Sequence, residues 1–566
     1  MQSFVKDMEA AGPHHPKKLQ AFKDVLADSD RHPKQDYFIL KAIIVNNLFG
    51  VDIMEEAVEI CKLRLFLKLV AQVESQDSIE PLPDIDFNIR AGNTLVGYAR
   101  YEDVKKVVSS TLDFGDSMSR IEDKALRLDS QLEMFRKQQT ELDGTVTAED
   151  KAELRRRFSE LEAELNDHLS GEYGIKKAGV KKWRESHKPF HWFCDFHRII
   201  ASGGFDVIIG NPPWKEYAEV KKDYQLFGYS TVPCGNLHGI TTERAISLVR
   251  EHGRVSLIVQ LPLTSSSRMK SVRQVLRSDS AFIGAVSFDD RPGKLFEGLQ
   301  NCRSTIFNYS KRNGANSTLY ASRYVRWATD ARSNIFPTLE FISGERNNLF
   351  SDQFAKVGSE AGGSVCAKLD LPTLKALGTA IARKPTENFI FYQEATRYWV
   401  KATVVLPYYA KNGKVGAPAH GRYVYFPDKK TANICCAILN SSLFYLYFIA
   451  FGDCFHLSDS LVANFPIPPA ALNDPRLVEL NKELMADLKR NSATKTITTR
   501  DKKTKTIKDT ISYAEFDARS SKSITDKVDC VLAEHYSFTA SELDMILNFD
   551  VKFRLGSDEE ADVEEE

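Results

Sequence analysis

A chain of 566 residues is long enough for about two to four domains. Its composition, 43% hydrophobic and 27% charged, is that of an ordinary globular protein and excludes a fibrous or wholly disordered one. A net charge of −1 marks no polyanion binder as a whole, so any nucleic-acid contact must come from local basic surfaces.

The N-terminal MQSFVKDMEAAGPHHPKK lacks the apolar core of a signal peptide. The longest apolar run, LFYLYFIAF at 443–451, is too short to span a bilayer and reads as a buried helix. A cytoplasmic protein without a membrane partner is expected. The nine cysteines are scattered with no CxxC pair, so no zinc or other metal site is expected, and free thiols suit a reducing cytosol.

Residues 37–70 read as helix, strand and helix, the strand being NLFGVDI. Ala57, Ile60, Cys61, Leu63 and Leu67 form the apolar positions of the second helix, and Glu55 and Glu56 suit its first turn. A short strand, FNIRAG, follows at 87–92. Between 117 and 170, Leu128, Leu132 and Phe135, then Leu154, Phe158, Leu161 and Leu165, step by three and four. Asp143-Gly144 divides them, which predicts an inserted helical hairpin serving as a solvated spacer. The α/β pattern then resumes. FDVIIG (205–210) is a strand, 235–253 a helix stopped by Gly253, and RVSLIVQLP (254–262), FIGAVSFDD (282–290) and CRSTIFNYSK (302–311) are further strands. Strands alternating with helices predict a mostly parallel sheet covered on both faces.

From about 315 the sequence turns irregular and aromatic-rich, as in YYAKNGKVGAPAHGRYVYFP (408–427), which predicts a domain of short strands and loops. Residues 431–451 look helical, and FPIPP (465–469) ends that unit. The basic run from Lys489 to Lys508 is expected to be a solvated loop able to touch phosphates. The tail DEEADVEEE is expected to form no packed structure.

The chemistry concentrates at FDVIIGNPPW. In an open parallel sheet, ligands bind beyond the carboxyl ends of strands, where Asn211 sits. The Asn211 side chain and the Pro212 carbonyl offer two adjacent acceptors. Pro212 and Pro213 restrict the turn, and Trp214 adds a flat ring. Two acceptors beside a stacking surface suit a planar ligand carrying an NH₂ group. An adenine amine is a poor nucleophile because its lone pair is delocalised. Two accepted hydrogen bonds favour a more pyramidal nitrogen, so orientation replaces a strong general base.

FDVIIGNPPW resembles the catalytic motif of gamma-class N6-adenine DNA methyltransferases, above all the large restriction–modification and phage-defence methylases of type IIG and BREX type. NNLFGVDIMEEAVEICKLRL resembles their second motif and IRAGNTLVG their third. GNLHGITTERAISLVREHGRVSLIVQLPL and FDDRPGKLFEGLQNCRSTI resemble later motifs, and AILNSSLFYLYFIAFGDCFHLSDSLVANFPIP the target-recognition region. The resemblance implies S-adenosylmethionine as methyl donor. Asp52 would then bind the donor's ribose hydroxyls, Ile53 would flank its adenine, and Asn93 would lie near that adenine. The family often has Asp at the last position; an Asn oxygen still accepts from an amine. Phe296 would stack on a flipped target adenine opposite Trp214, since a base paired within a duplex must leave the stack to react.

One family feature is absent from the sequence. The Gly-rich turn that normally precedes the NLFGVDI strand has no counterpart, because residues 1–45 contain no GxG. A parallel sheet without its central strand leaves backbone groups unpaired. A fragment, or one piece of a split enzyme, is therefore expected.

The predicted fold is α/β: a Rossmann-like methyltransferase sheet incomplete at its central strand, with a helical hairpin insertion and a C-terminal α+β target-recognition domain. The expected domains are a partial donor-binding part (1–112), the hairpin (113–187), a catalytic part (188–314), target recognition (315–475) and a basic, helical C-terminal region with an acidic tail (476–566). The expected function is S-adenosylmethionine-dependent methylation of adenine N6 in double-stranded DNA, within restriction–modification or phage defence, with a separate N-terminal segment or restriction subunits as partners. The alternatives are an inactive DNA-recognition module and a protein or RNA methylase.

Overall fold

The computed structural model describes residues 34–73, 81–108, 114–140, 146–296, 302–343, 352–418, 421–500 and 507–556, with Lys23, Ala27, Ser29 and His32. The chain folds as two compact units. One comprises 1–206, 216–229 and 244–253, the other 207–215, 230–243 and 254–566. The Asp143-Gly144 break and the DEEADVEEE tail lie outside the described residues.

The first unit opens with helix α1 (Gln35–Asn47), strand β1 (Gly50–Asp52), helix α2 (Glu55–Val70) and strand β2 (Ile89–Ala91). β1 and β2 pair in parallel, Asp52 opposite Ala91. The buried Asn88 amide donates to the carbonyls of Ile44, Val45 and Leu48, satisfying acceptors at the end of α1. Tyr37, Ile44, Val58, Leu69, Ile85 and Ile89 form the core. This corrects the expected buried stripe of α2. Val58 and Leu69 face the core, whereas Ile60, Leu63 and Leu67 are 55%, 56% and 59% exposed. The helix is apolar on two flanks, and only one is covered.

Helices α3 (Phe114–Thr140) and α4 (Ala148–Glu172) carry the two predicted apolar stripes, and all seven of those side chains are buried. A capping box between Thr147 and Asp150 starts α4. The pair is no solvated spacer. Phe87, just before β2, stacks on Phe158 at 5.4 Å and meets Phe135 edge-on at 5.5 Å. Arg90 of β2 bridges Glu162 of α4 and the buried Asp195, each at 2.9 Å. Burial lifts the Asp195 carboxyl to about 7 despite that guanidinium.

The main sheet has the strand order β3 (Phe205–Gly210), β4 (Val249–Gln260), β6 (Ser304–Lys311), β5 (Ser280–Phe288), β7 (Thr318–Ser322), β8 (Phe341–Ser343). β5 and β7 are parallel, but β6 runs antiparallel to both β4 and β5. The sheet is mixed where a mostly parallel one was expected. Among the described residues, no crossover helix joins β5 to β6, so β6 returns antiparallel. β3 ends the strand order, and its Val207 and Ile209 are 59% and 78% exposed. The expectation of two covered faces therefore fails at this edge. Helix α5 (Leu237–Leu248) stops five residues before Gly253, which lies inside β4. A Cβ at Gly253 would sit 2.6 Å from the Val249 side chain and 3.0 Å from the Asp206 carbonyl, so this glycine permits a close strand approach rather than a helix cap.

In the second unit, helices α6 (Lys429–Asn440) and α7 (Ser442–Phe451) bend by 64° at Ser441, and every residue of α7 is buried. Among the described residues no single helix is long and apolar enough to cross a membrane. Asp529 accepts from the Ser442 and Leu443 N–H groups at 3.0 Å each, holding the first turn of α7. Burial raises its carboxyl to about 6. A carboxyl raised in the folded state adds no cost below its ordinary range near 4, and ionising it as pH rises through 6 destabilises the fold. The stability of Asp529→Asn relative to the parent is therefore expected to rise by up to about 3 kcal/mol between pH 4 and pH 7, read from urea midpoints at each pH.

A three-stranded antiparallel sheet joins Ala402–Thr403, Phe389–Gln393 and Gly421–Tyr425. A four-stranded sheet has the order Lys414–Val415, Tyr409–Lys411, Ile507–Phe516, Ser492–Arg500. The basic stretch predicted as a loop is therefore strand on both sides of 501–506, built from the β-branched alternation of SATKTITTR.

Candidate active site

β3 is an apolar, β-branched strand that delivers Asn211 to its carboxyl end. Asn211 is exposed, and its carboxamide has no hydrogen-bond partner among the described residues. Pro212 is buried, Pro213 exposed and Trp214 half-buried. The turn is pinned at its exit. The Trp214 indole N–H donates to the Ile258 carbonyl of β4 at 3.3 Å. The Lys215 carbonyl accepts from the Leu237 N–H at 2.9 Å, tying the turn to the start of α5.

Trp214 and Phe296 are brought together, ring centroids 5.5 Å apart and 87° between planes. This is an edge-to-face pair, not two parallel walls. A base held between the rings requires Phe296 to turn and withdraw. Phe296 is carried by the segment after β5, whose root is a buried ion cluster. Asp289 pairs with Arg326 at 2.8 Å and with Arg303 at 3.3 Å; Arg303 also reaches Asp290 at 3.1 Å, and Arg326 reaches Asp550. Burial favours a neutral Asp289, yet the Arg326 and Arg303 charges hold its carboxyl below the usual range.

A second cluster lies in the first unit, around the carboxyl end of β1. Asp52 is exposed there, and its Oδ1 accepts from the Met54 N–H at 2.8 Å. Met54, not Asp52, is the N-cap residue of α2. Ile53 is 39% exposed beside it. Asn93 is buried, at 2% exposure, in the turn after β2. Its N–H donates to the Lys188 carbonyl at 2.7 Å, and its Oδ1 accepts from the Leu95 N–H at 3.1 Å. A backbone N–H can be met only by the amide oxygen, so the orientation is fixed. The Asn93 Nδ2 is left buried without a partner among the described residues. The uncommitted group at this position is thus a donor, whereas the sequence reading relied on the oxygen.

The Asn93–Gly97 turn is clamped by residues the sequence reading did not single out. Tyr229 donates to the Leu95 carbonyl at 2.7 Å, and Arg244 to the Gly97 carbonyl at 3.1 Å and the Tyr229 hydroxyl at 2.8 Å. Gly97 has φ +129°, and a Cβ there would lie 2.1 Å from the Phe190 carbonyl. Gly97 was the one visible signal of such a close approach; nothing in sequence spacing links it to Tyr229 or Arg244.

Residues 46–294 match the Eco57I restriction-modification methylase family. The match covers β1 to β5, with Asp52, Asn93 and the Asn211–Trp214 turn inside it; Phe296 falls just beyond. A Methanocaldococcus jannaschii protein named as a type II restriction enzyme and methyltransferase is 34% identical over 250 residues, 35% of this chain. The aligned part spans only 21% of that curated relative's length. Among solved structures, the type IIL restriction-modification enzyme MmeI in complex with DNA aligns over 94% of this chain and 76% of its own, at 11% identity and a TM-score of 0.36. The DrdV–DNA complex aligns over 94% and 69%, at 10% identity and a TM-score of 0.30.

A methyl donor of the adenosyl type fits the first-unit cluster in part. An exposed carboxylate at a strand end suits ribose hydroxyls, Ile53 offers an apolar surface, and the orphaned Asn93 amide suits a ring nitrogen. For the charged methionine end, no glycine loop opens a helix among the described residues before β1.

Proposed function

We propose that the chain is the catalytic and target-recognition part of an S-adenosylmethionine-dependent DNA methyltransferase that modifies adenine N6 in duplex DNA, within a cytoplasmic restriction–modification or phage-defence system. The observation that carries this reading is the rigid Asn211-Pro212-Pro213-Trp214 turn, whose carboxamide is exposed and uncommitted at the end of β3. The donor supplies an electrophilic methyl group. Asn211 Oδ1 and the Pro212 carbonyl accept from the two amine hydrogens and hold the nitrogen lone pair toward that methyl. Pro213 stiffens the turn, and Trp214 and Phe296 grip the extruded base. Asp52, Ile53 and Asn93 hold the donor's adenosine half.

The deciding experiment offers the protein tritiated donor with duplex DNA, RNA and a protein mixture in parallel, then digests the nucleic acids to nucleosides. Label in N6-methyl-2′-deoxyadenosine is the expected result. Label in cytosine, RNA or protein, or none, overturns the reading. Donor binding is separable by calorimetry, where Asp52→Ala is expected to weaken the donor by roughly 10- to 100-fold through loss of a charge-assisted hydrogen bond. A second reading, a DNA-recognition module without activity, draws on the lack of a glycine loop opening a helix before β1 among the described residues. No heat of donor binding, together with retained duplex binding, would favour it.

A further inference from the structure

The sheet formed by 409–415, 492–500 and 507–516 serves neither of the clusters described so far. Its charge is unusual for this chain. These three segments with the adjoining Lys489-Arg490 carry seven basic against two acidic side chains, in a protein of net charge −1. Its packing is unusual as well. Residues 493–500 are exposed at every position although alternate side chains point to opposite faces, so neither face of that strand rests on a core. Antiparallel sheets ordinarily bury one face.

The register assigns the faces. Lys495 is opposite Tyr513, which is opposite Tyr409; Ile497 is opposite Ile511, which is opposite Lys411, which is opposite Lys414. Opposed residues share a face. Lys411, Lys414 and Lys495 therefore stand on one side with Tyr409, Tyr513, Ile497, Ile511 and the acids Asp509 and Glu515, while Thr494, Thr496, Thr498, Thr510 and Ser512 make the other a row of hydroxyls. Lys411 meets Asp509 at 3.0 Å and Lys495 meets Glu515 at 2.8 Å. Both lysines are about half exposed, and exposed pairs of this kind contribute little and exchange readily for phosphate. Arg500 and Lys508 are exposed as well, but alternation from Thr498 and Thr510 puts them on the hydroxyl side.

From this charge and this bareness we infer that the sheet is a duplex-DNA docking surface, with Lys411, Lys414 and Lys495 set against the phosphate backbone. The inference rests on the reading that the chain acts on DNA. Dimensions agree: strands of nine and ten residues run about 30 Å, close to one turn of duplex.

The test is fluorescence anisotropy with a short duplex of arbitrary sequence, between 50 and 200 mM salt. The whole protein is compared with Lys411→Gln/Lys414→Gln/Lys495→Gln, with Arg500→Gln/Lys508→Gln on the opposite side of the sheet, and with Lys221→Gln/Lys222→Gln in the first unit as a control. The triple variant is expected to bind roughly tenfold or more weakly, alike on every sequence, with the log–log salt slope reduced by up to about 3; the arginine version of the triple restores binding. Unchanged thermal unfolding of the variants separates this from misfolding. If the parent binds and the triple variant matches it in affinity and slope, or the Arg500→Gln/Lys508→Gln variant loses as much as the triple, this docking surface is overturned while the DNA reading stands. If the parent binds no duplex, or prefers single-stranded RNA, the DNA reading falls and the surface with it.

Discussion

Asn211→Ala is expected to lower single-turnover methyl transfer to adenine by roughly 10²- to 10³-fold. The carboxamide is exposed at a strand end and hydrogen-bonded to nothing among the described residues, so its removal leaves no buried group unsatisfied and no cavity. Pro212 and Trp214 still fix the turn, through burial and through the indole bond to Ile258. Stability and duplex affinity should therefore stay near those of the parent, and the loss should fall on the chemical step rather than on KM. Quenched-flow transfer of tritiated methyl, beside equilibrium DNA binding, measures both. A loss confined to KM would make Asn211 a binding group only. A variant as fast as the parent would remove the amine-orienting role altogether.

The second large effect concerns Arg326. Its side chain is buried, pairs with Asp289 and Asp550, and lies over the rings of Tyr324 and Tyr398 at 5.0 and 5.1 Å. Arg326→Met keeps most of the volume but deprives Asp550 of its guanidinium and leaves Asp289 with Arg303 alone. Breaking one partner of a buried pair costs about 3–5 kcal/mol. Asp289 is held below the ordinary carboxylate range in the folded state, so its contribution is present above that range and lost as pH falls through the lowered value. The deficit of the variant should therefore be largest near neutrality and shrink below about pH 4. Denaturant unfolding at pH 7 and pH 3.5 tests this, and adding Asp289→Asn should recover part of the loss. A deficit independent of pH would show that lost packing, not charge, sets the cost.

What the sequence made legible was what local spacing encodes. The helices of 114–172, the strand before Asn211, the buried 443–451 segment and the acceptor turn all stand out, because periods of two and three to four and Pro-Pro punctuation are local signals. Long-range decisions were hidden. Nothing in CRSTIFNYSK says that it will insert antiparallel between two earlier strands. Nothing in α2 says which of two apolar flanks is covered, since Val58 and Leu63 are equally hydrophobic. In the basic run, charge masked a β-branched alternation that the structure uses as a ribbon. In the candidate site, Asn93 was found by its motif, and the engagement of its oxygen by Leu95 is local, but the clamp from Tyr229 and Arg244 depends on contacts 134 and 147 residues apart in sequence.

The bare edge of β3 has a consequence for how the protein can be kept and handled. Val207 and Ile209 face water at the end of a sheet, and in the first unit α2 shows water Ile60, Leu63 and Leu67. An unpaired strand edge is a template for another strand, and an exposed aliphatic stripe is adhesive at raised concentration. The working lifetime of the isolated chain is therefore set by how often two copies meet as much as by how tightly each one folds. Light scattering should rise steeply with concentration, and Ile209→Lys with Leu63→Glu should flatten that rise without moving the unfolding midpoint.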